Sequence, residues 1–203
     1  MKLLIATENP GKFKEISASL AALPLKLISL KELHLTIPDY VEDGKTYAEN
    51  AFKKAQYAAQ KTGLMTLADD SGIVVNALKN ELGVKTRRWG AGAEASDQEW
   101  INYFLKRMEF CPDEKRTATF ICNLCLVDEK GNILKKFVGK TKGKITKTLE
   151  APIHPGIPLS SCFVPEGFNK VYIALSTEKK NQLSHRGKAL HQVEEYFKNS
   201  YFK

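Results

Sequence analysis

Leu64-Met65-Thr66-Leu67-Ala68-Asp69-Asp70-Ser71-Gly72-Ile73-Val74-Val75-Asn76-Ala77 is the stretch whose reading decides the fold. Leu64–Ala68 is apolar enough to be a buried strand, and Ile73–Ala77 reads as a second β run. Two adjacent carboxylates stand between them. Carboxylates at the end of a buried strand are costly unless they are paired, hydrogen-bonded or bound to a cation. Neighbours on an extended chain point to opposite sides, so one of Asp69 and Asp70 can face a site while the other serves the structure. Asp-Ser-Gly is also ordinary turn chemistry, which is the plainer reading of the same four residues.

Upstream, Thr46 and Glu49 are spaced as a capping box for a helix to Thr62, which Gly63 ends. At the start of the chain, Leu3–Ala6 is a short strand. The loop Thr7-Glu8-Asn9-Pro10-Gly11-Lys12 follows, then a helical pattern with Ile16, Leu20 and Leu23 on one face. Leu25–Leu30 is a second strand, and Lys31–Lys45 reads as a loop. Downstream, Ser96 caps a helix to about Met108. Thr117–Val127 and Ile133–Gly139 flank the hairpin signal Asp128-Glu129-Lys130-Gly131-Asn132, with a further β segment near Lys142–Lys147. Cys162–Val164 and Val171–Ala174 read as short strands, and a turn near Ser176–Lys180 leads to Ser184 and a last helix to about Tyr196. Early strand–helix alternation and a late hairpin predict an α/β fold with a mixed β-sheet.

The composition sets limits. The 203 residues suit one domain or two closely packed lobes, and no run approaches the ~18 apolar residues of a membrane span. MKLLIA ends at Thr7, short of the ~7–15 residues of a signal core. Cys122 and Cys125 form a lone C-x-x-C inside an alternating strand, with no second pair to complete a zinc site, and read as small core residues. Four unframed cysteines suit a reducing, cytoplasmic setting. The net charge of +8, from 31 Lys plus Arg against 23 Asp plus Glu, favours an anionic partner without naming it.

Four features could carry chemistry. The loop Thr7–Lys12 leaves a strand and opens a helix, presenting N–H groups, the positive helix end and Lys12, as a phosphate cradle would, although it lacks the Walker pattern. Asp69-Asp70 could hold magnesium, which takes one or two carboxylates plus substrate phosphates. Glu42, in a stretch running to Asn50, is an acidic group with no evident capping duty, whereas Glu49 has one. Lys180, Ser184, His185 and Arg186 place cations, a hydroxyl and an imidazole before the last helix.

Taken together and in order, Thr-x-Asn-Pro-Gly-Lys at 7–12, Glu-Asn-Ala-x-x-Lys-Ala at 49–55, Ala-Asp-Asp-Ser-Gly at 68–72 and Ser-His-Arg-x-x-Ala-Leu at 184–190 closely resemble the inosine triphosphate pyrophosphatase family. Gly83-Val84, Arg88 and Phe163-x-Pro165-Glu166-Gly167 extend the likeness over residues 2–197. The resemblance implies an elongated mixed β-sheet flanked by helices, in two lobes with a central cleft, forming a single nucleotide pyrophosphatase domain over 1–203. It also implies a homodimer, a cytoplasmic setting, and Mg2+-dependent hydrolysis of nucleoside triphosphates to the monophosphate and pyrophosphate. Neither a membrane nor nucleic acid is an expected partner. By the same resemblance Thr7, Glu8, Asn9, Pro10, Gly11, Lys12 and Lys54 would hold the triphosphate. Asp70 would be proton acceptor and metal ligand, and Ser71 would contact the substrate. Glu42 would be the second metal carboxylate, with Asp39 and Glu49 as rivals. Lys180, His185 and Arg186 would meet the nucleotide.

One stretch departs from the family, which carries Gly-Phe-Gly-aromatic-Asp-Pro before Phe-x-Pro. Here it is Gly156-Ile157-Pro158-Leu159-Ser160-Ser161. Ile157 stands at the base-stacking position, Leu159 replaces the aromatic, and Ser160 replaces the Asp. An aliphatic side chain covers a base without the aromatic quadrupole, and serine brings no charge. The base contacts assigned to Ile157, Leu159 and Ser160 therefore predict an altered or relaxed base preference. Two alternatives stay beside the main reading: the same reaction on another or broader nucleotide set, and a non-catalytic nucleotide- or RNA-binding protein on this fold.

Overall fold

The computed structural model describes residues 1–78, 81–84, 89–92 and 94–202, and the backbone alone of Asp39, Tyr40, Thr177 and Asn181. Six strands form one mixed sheet in the order β2-β1-β3-β4-β5-β6. They are β1 (Lys2–Ala6), β2 (Lys26–Ser29), β3 (Thr66–Val75), β4 (Thr117–Val127), β5 (Ile133–Ile145) and β6 (Phe163–Pro165). β1 runs parallel to both β2 and β3, and β5 and β6 are antiparallel. The helices are α1 (Pro10–Ser19), α2 (Tyr47–Thr62), α3 (Asp97–Arg107), α4 (Thr177–Leu183) and α5 (His185–Ser200). The α/β class and mixed sheet agree with the sequence reading.

The contacts divide the chain into two compact units. The first comprises Met1–Ser71, Cys122–Gly139 and His185–Lys203; the second comprises Gly72–Ile121 and Lys140–Ser184. In the first unit Leu3–Ala6 of β1 and Thr66–Asp69 of β3 are buried on both faces. Leu3, Ile5, Leu67, Cys122, Leu124 and Leu126 pack with Ile16 of α1 and with Leu190, Val193 and Phe197 of α5. Leu4, Ala6, Ala68, Cys125 and Val127 pack with Ala51, Ala55, Ala58 and Ala59 of α2. The alanine stripe at helical spacing lets α2 lie close to the strands. Cys122 and Cys125 thus sit on opposite faces as core residues, and burial pushes both thiols up, to about 11 for Cys125. The second unit has its own core, in which Ile73, Trp100, Phe104, Ile145, Leu159 and Phe163 meet.

The local signals explain most boundaries. Thr46 and Glu49 close their capping box, and Gly63 takes the left-handed conformation that ends α2, φ 64°. Ser96 and Glu99 do the same for α3. Several expectations are corrected. Asp69-Asp70-Ser71-Gly72 is no turn between two strands: β3 runs unbroken from Thr66 to Val75, because every charge in it finds a partner. α1 starts at Pro10, inside the predicted loop, where a proline fits the first helical position for want of an N–H.

β5 continues to Ile145 as one strand. Gly139 read as a strand end, but it serves close approach: a Cβ there would run into the His185 carbonyl. Val171–Ala174 is not a strand; Tyr172–Ala174 is a 3-10 turn, with Ala174 N–H bonded to the Val171 carbonyl at 3.0 Å. The predicted turn at Ser176–Lys180 is helix α4, because the Ser176 side chain caps it, accepting from Lys179 N–H at 3.3 Å. α5 extends past Tyr196 to Ser200.

Candidate active site

Strand alternation fixes what each residue of the Asp-Asp-Ser run can reach. Leu67 faces the α1/α5 side and Ala68 the α2 side, so Asp69 and Ser71 face α1/α5 and Asp70 faces α2. The partners agree. Asp69 is fully buried; its Oδ1 lies 2.9 Å from Lys12 Nζ of α1 and its Oδ2 3.3 Å from Arg186 Nε of α5. Arg186 also donates from Nη2 to Ser71 Oγ at 3.1 Å and pairs through Nη1 with Glu15 of α1. Ser71 Oγ donates to Asp69 Oδ2 at 3.3 Å. On the other side, Lys54 Nζ of α2 is 2.7 Å from Glu42 Oε1 and 3.6 Å from Asp70 Oδ1.

The two carboxylates are driven in opposite directions. Burial pulls the Asp69 pKa upward, but Lys12, Arg186 and Lys54 outweigh it and hold the carboxyl well below the usual range. For Asp70 burial wins: Lys54, Lys12 and an Asn50 hydrogen bond only partly offset it, and its pKa is raised. Lys54 is opposed by burial, yet Asp70, Asp69 and Glu42 together raise its pKa and keep it charged. Burial, reinforced by the Arg186 charge, pushes His185 down to about 3, so its imidazole is neutral at physiological pH.

The loop at 7–12 is less open than a bare helix end. Asn9 Oδ1 accepts from Lys12 N–H at 3.1 Å and the Asn9 carbonyl from Phe13 N–H at 3.1 Å, while Pro10 has no donor. At Gly11 a Cβ would lie 3.1 Å from Asn9 Oδ1, so a side chain there must displace the capping oxygen by a few tenths of an ångström. Thr7 Oγ1 accepts from Asn9 N–H at 3.3 Å, and Glu8 Oε1 from Ile37 N–H at 2.9 Å. What this loop offers an anion is the Lys12 ammonium and the backbone N–H of Gly11 at the helix start.

Glu49 is committed to its cap, accepting from Lys45 N–H at 2.7 Å, whereas Glu42 reaches Lys54 beside Asp70. Geometry therefore favours Glu42 over Glu49; the side chain of Asp39, and Arg88, lie outside the described residues. Asp70 Oδ2 is buried with no hydrogen-bond partner among the described residues. Lys12, Lys54 and Arg186 face Asp69, Asp70, Glu42 and Glu15, one more carboxylate than cations. Such a site repels a triphosphate unless a cation accompanies it. Among the described residues no three His, Cys, Asp or Glu side chains converge. An orphaned carboxylate oxygen, a second carboxylate and no full protein cage fit magnesium, which keeps positions for phosphate oxygens and water.

The remaining predicted residues belong to the second unit. Ile157 is exposed, Leu159 is buried in that unit's core, and Ser160 donates its hydroxyl to the Ile157 carbonyl at 2.7 Å. Asp97, at the start of α3, accepts from Gly156 N–H at 2.6 Å and pins the loop. Lys180 reaches the Ile173 carbonyl at 3.5 Å. A trough of about 970 Å³ within this unit is lined by Thr119, Lys142, Lys144 and Glu166 among others, and by none of the predicted site residues.

Sequence reading missed Glu15 and Asn50 and left Asp69 without partners. Glu15 lies one helical turn beyond Lys12, which was the available signal. The Asn50 side chain binds Gly44 N–H at 2.7 Å and the Asp70 carboxylate, stitching the Glu42 segment and β3 to α2.

The sequence pattern of the Ham1 family matches residues 3–196. The chain belongs to the Ham1 family. Among its relatives, a dITP/XTP pyrophosphatase of Thermus thermophilus is 40% identical over 203 residues, 98% of this chain and 93% of that one. One from Geobacter sulfurreducens is 41% identical over 190 residues, 93% of this chain and 92% of that one. Among solved structures, a Ham1 protein of Coxiella burnetii is 31% identical with a TM-score of 0.88, covering 98% of this Ham1 chain and all of its own.

Proposed function

We propose that this Ham1 protein hydrolyses noncanonical purine nucleoside triphosphates (dITP, ITP and XTP) to the nucleoside monophosphate and pyrophosphate, clearing them from the nucleotide pool. The observation that carries the reading is the gathering of Lys12, Arg186 and Ser71 on one face of β3 and of Lys54, Glu42 and Asp70 on the other, drawn from five separate segments of the first unit. The names of the relatives support it. Hydrolysis of a phosphoanhydride needs positioning and charge neutralisation more than covalent help. Lys12 and Lys54 supply mobile cations for the phosphate oxygens, and Ser71 a hydroxyl held in place by Arg186. Asp70, with a raised pKa, takes the proton of the attacking water better than a free carboxylate does. His185 serves as a neutral hydrogen-bonding group. Asp70 and Glu42 would hold Mg2+, which supplies charge neutralisation at the phosphate oxygens. The two units act as one functional domain over 1–203; a homodimer in the cytoplasm rests on the family resemblance alone.

A second reading is favoured at the base. Of the three base-loop substitutions only Ile157 is exposed, and it offers no polar group. The same reaction with a relaxed base preference follows. Pyrophosphate release from dITP, ITP, XTP and the four standard triphosphates, with and without Mg2+, tests both readings. Release from the first three alone supports strict selectivity, and release across the panel supports the relaxed form. Asp70→Asn should lower turnover about 10²–10⁴-fold on every substrate. No release from any of them would leave a binding protein on this fold.

A further inference from the structure

Lys54 occupies an unusual place for a phosphate ligand. Its ammonium lies between the two carboxylates assigned to the metal, 2.7 Å from Glu42 Oε1 and 3.6 Å from Asp70 Oδ1, and its side chain is only 10% exposed. The frame around it is tied down: Asn50, one turn earlier on α2, holds Gly44 N–H and the Asp70 carboxylate, and the capping box fixes the helix start. Asp70 and the backbone near Glu42 are thereby held close to the ammonium. A free divalent cation arriving here must evict the Lys54 charge or bind beside it, and either course opposes binding. A triphosphate changes the balance, because its oxygens give the long, flexible lysine another anion to follow.

We propose that Lys54 is a built-in counter-cation that keeps the Glu42–Asp70 pair closed to free divalent metal until a triphosphate draws its ammonium away. This rests on the reading of the site as a metal-assisted triphosphate hydrolase and adds an order to it: metal enters with the nucleotide, not ahead of it. Nucleotide and metal then strengthen each other's binding by the same factor. One residue opposes metal binding in the resting enzyme and supports the reaction once substrate is present.

The test is direct titration of the full chain with Mn2+, without nucleotide, following the free-ion electron spin resonance signal. Wild type should bind weakly. Lys54→Gln and Lys54→Met, each checked for a wild-type unfolding transition, should bind Mn2+ at least about tenfold more tightly. Lys54→Arg should match wild type, and adding Glu42→Gln to Lys54→Gln should abolish the gain. In parallel, Lys54→Gln should lose kcat/KM on dITP, so that metal affinity and turnover move in opposite directions. Mn2+ binding to Lys54→Gln and Lys54→Met that is equal to or weaker than wild type would overturn the proposal. Because the titration reads no turnover, a gain in metal affinity in the Lys54 variants when the wild type itself fails to hydrolyse dITP would sink the function and keep the gate.

Discussion

The ion-paired cluster of the first unit and the loop Gly156–Ser161 of the second, the base loop of the proposed function, are built on different principles. In the cluster, Asp69 alone joins α1, β3 and α5 through Lys12 and Arg186, and Asn50 and Lys54 join α2, β3 and the Glu42 segment. Each charge is paired with a residue from elsewhere in the chain. Changing one strands another in a buried place, so the set persists together or is lost together. The base loop Gly156–Ser161 satisfies itself locally: Ser160 bonds Ile157, and Ser161 Oγ donates to the Pro152 carbonyl at 2.7 Å. Its outside anchor is the Asp97 carboxylate. At its exposed position, Ile157, such a loop can exchange a side chain without unsettling its neighbours.

The sharpest way to break that contrast is Asp69→Asn. The substitution leaves Lys12 and Arg186 facing each other without their shared carboxylate, and should cost about 3–5 kcal/mol of stability. The sign with pH follows from the lowered pKa. Asp69 stabilises the fold fully above its unfolded value near 4, and that stability drains away as pH falls towards the lower folded value. Urea unfolding of wild type and variant should therefore converge below about pH 4 and differ most at neutral pH. Equal stability at pH 7 would mean that the network is decoration.

The same contrast explains what sequence could reveal. That Asp69 and Asp70 face opposite sides follows from strand alternation, and the helix carrying Lys54 follows from Thr46, Glu49 and Gly63. The partners of Asp69 do not follow, because Lys12 and Arg186 come from opposite ends of the chain and only the fold brings them to one carboxylate. The unbroken β3 was hidden for the same reason: Asp-Asp-Ser-Gly looks like a turn until its charges have partners. Gly139 misled through its two roles, ending strands in some places and admitting a close backbone in others. The base loop was legible as a departure from the family. Its anchor was not, since nothing in Asp97 itself distinguishes a helix-start carboxylate from a loop clamp.

That anchor gives a smaller test. Asp97→Ala removes the acceptor for Gly156 N–H and should loosen the loop by about 1.5–3 kcal/mol. Amide hydrogen exchange at Gly156 should rise, and KM for dITP should rise with it. The Mg2+ requirement should stay as in wild type, because no part of the cluster is touched. A changed Mg2+ requirement would show that cluster and loop are not independent.

The smallest effect asks whether the loop sets base preference. Ile157 is 49% exposed, so a larger side chain meets no core there. Ile157→Phe places an aromatic face at the position to which the family resemblance assigns base stacking, and aromatic pairs contribute about 0.5–1.5 kcal/mol beyond their area. That corresponds to a rise of roughly two- to tenfold in kcat/KM for a purine triphosphate. The gain should fall on purines over pyrimidines, since a larger ring system stacks over more area. It should not separate dITP from dATP, which differ at polar edges that a phenyl ring does not read. Serine at 160 bears on that second distinction, and it spends its hydroxyl on the Ile157 carbonyl. Ser160→Asp combined with Ile157→Phe should therefore be needed before dITP is favoured over dATP. A preference for dITP appearing with Ile157→Phe alone would mean that stacking, not edge recognition, carries the discrimination.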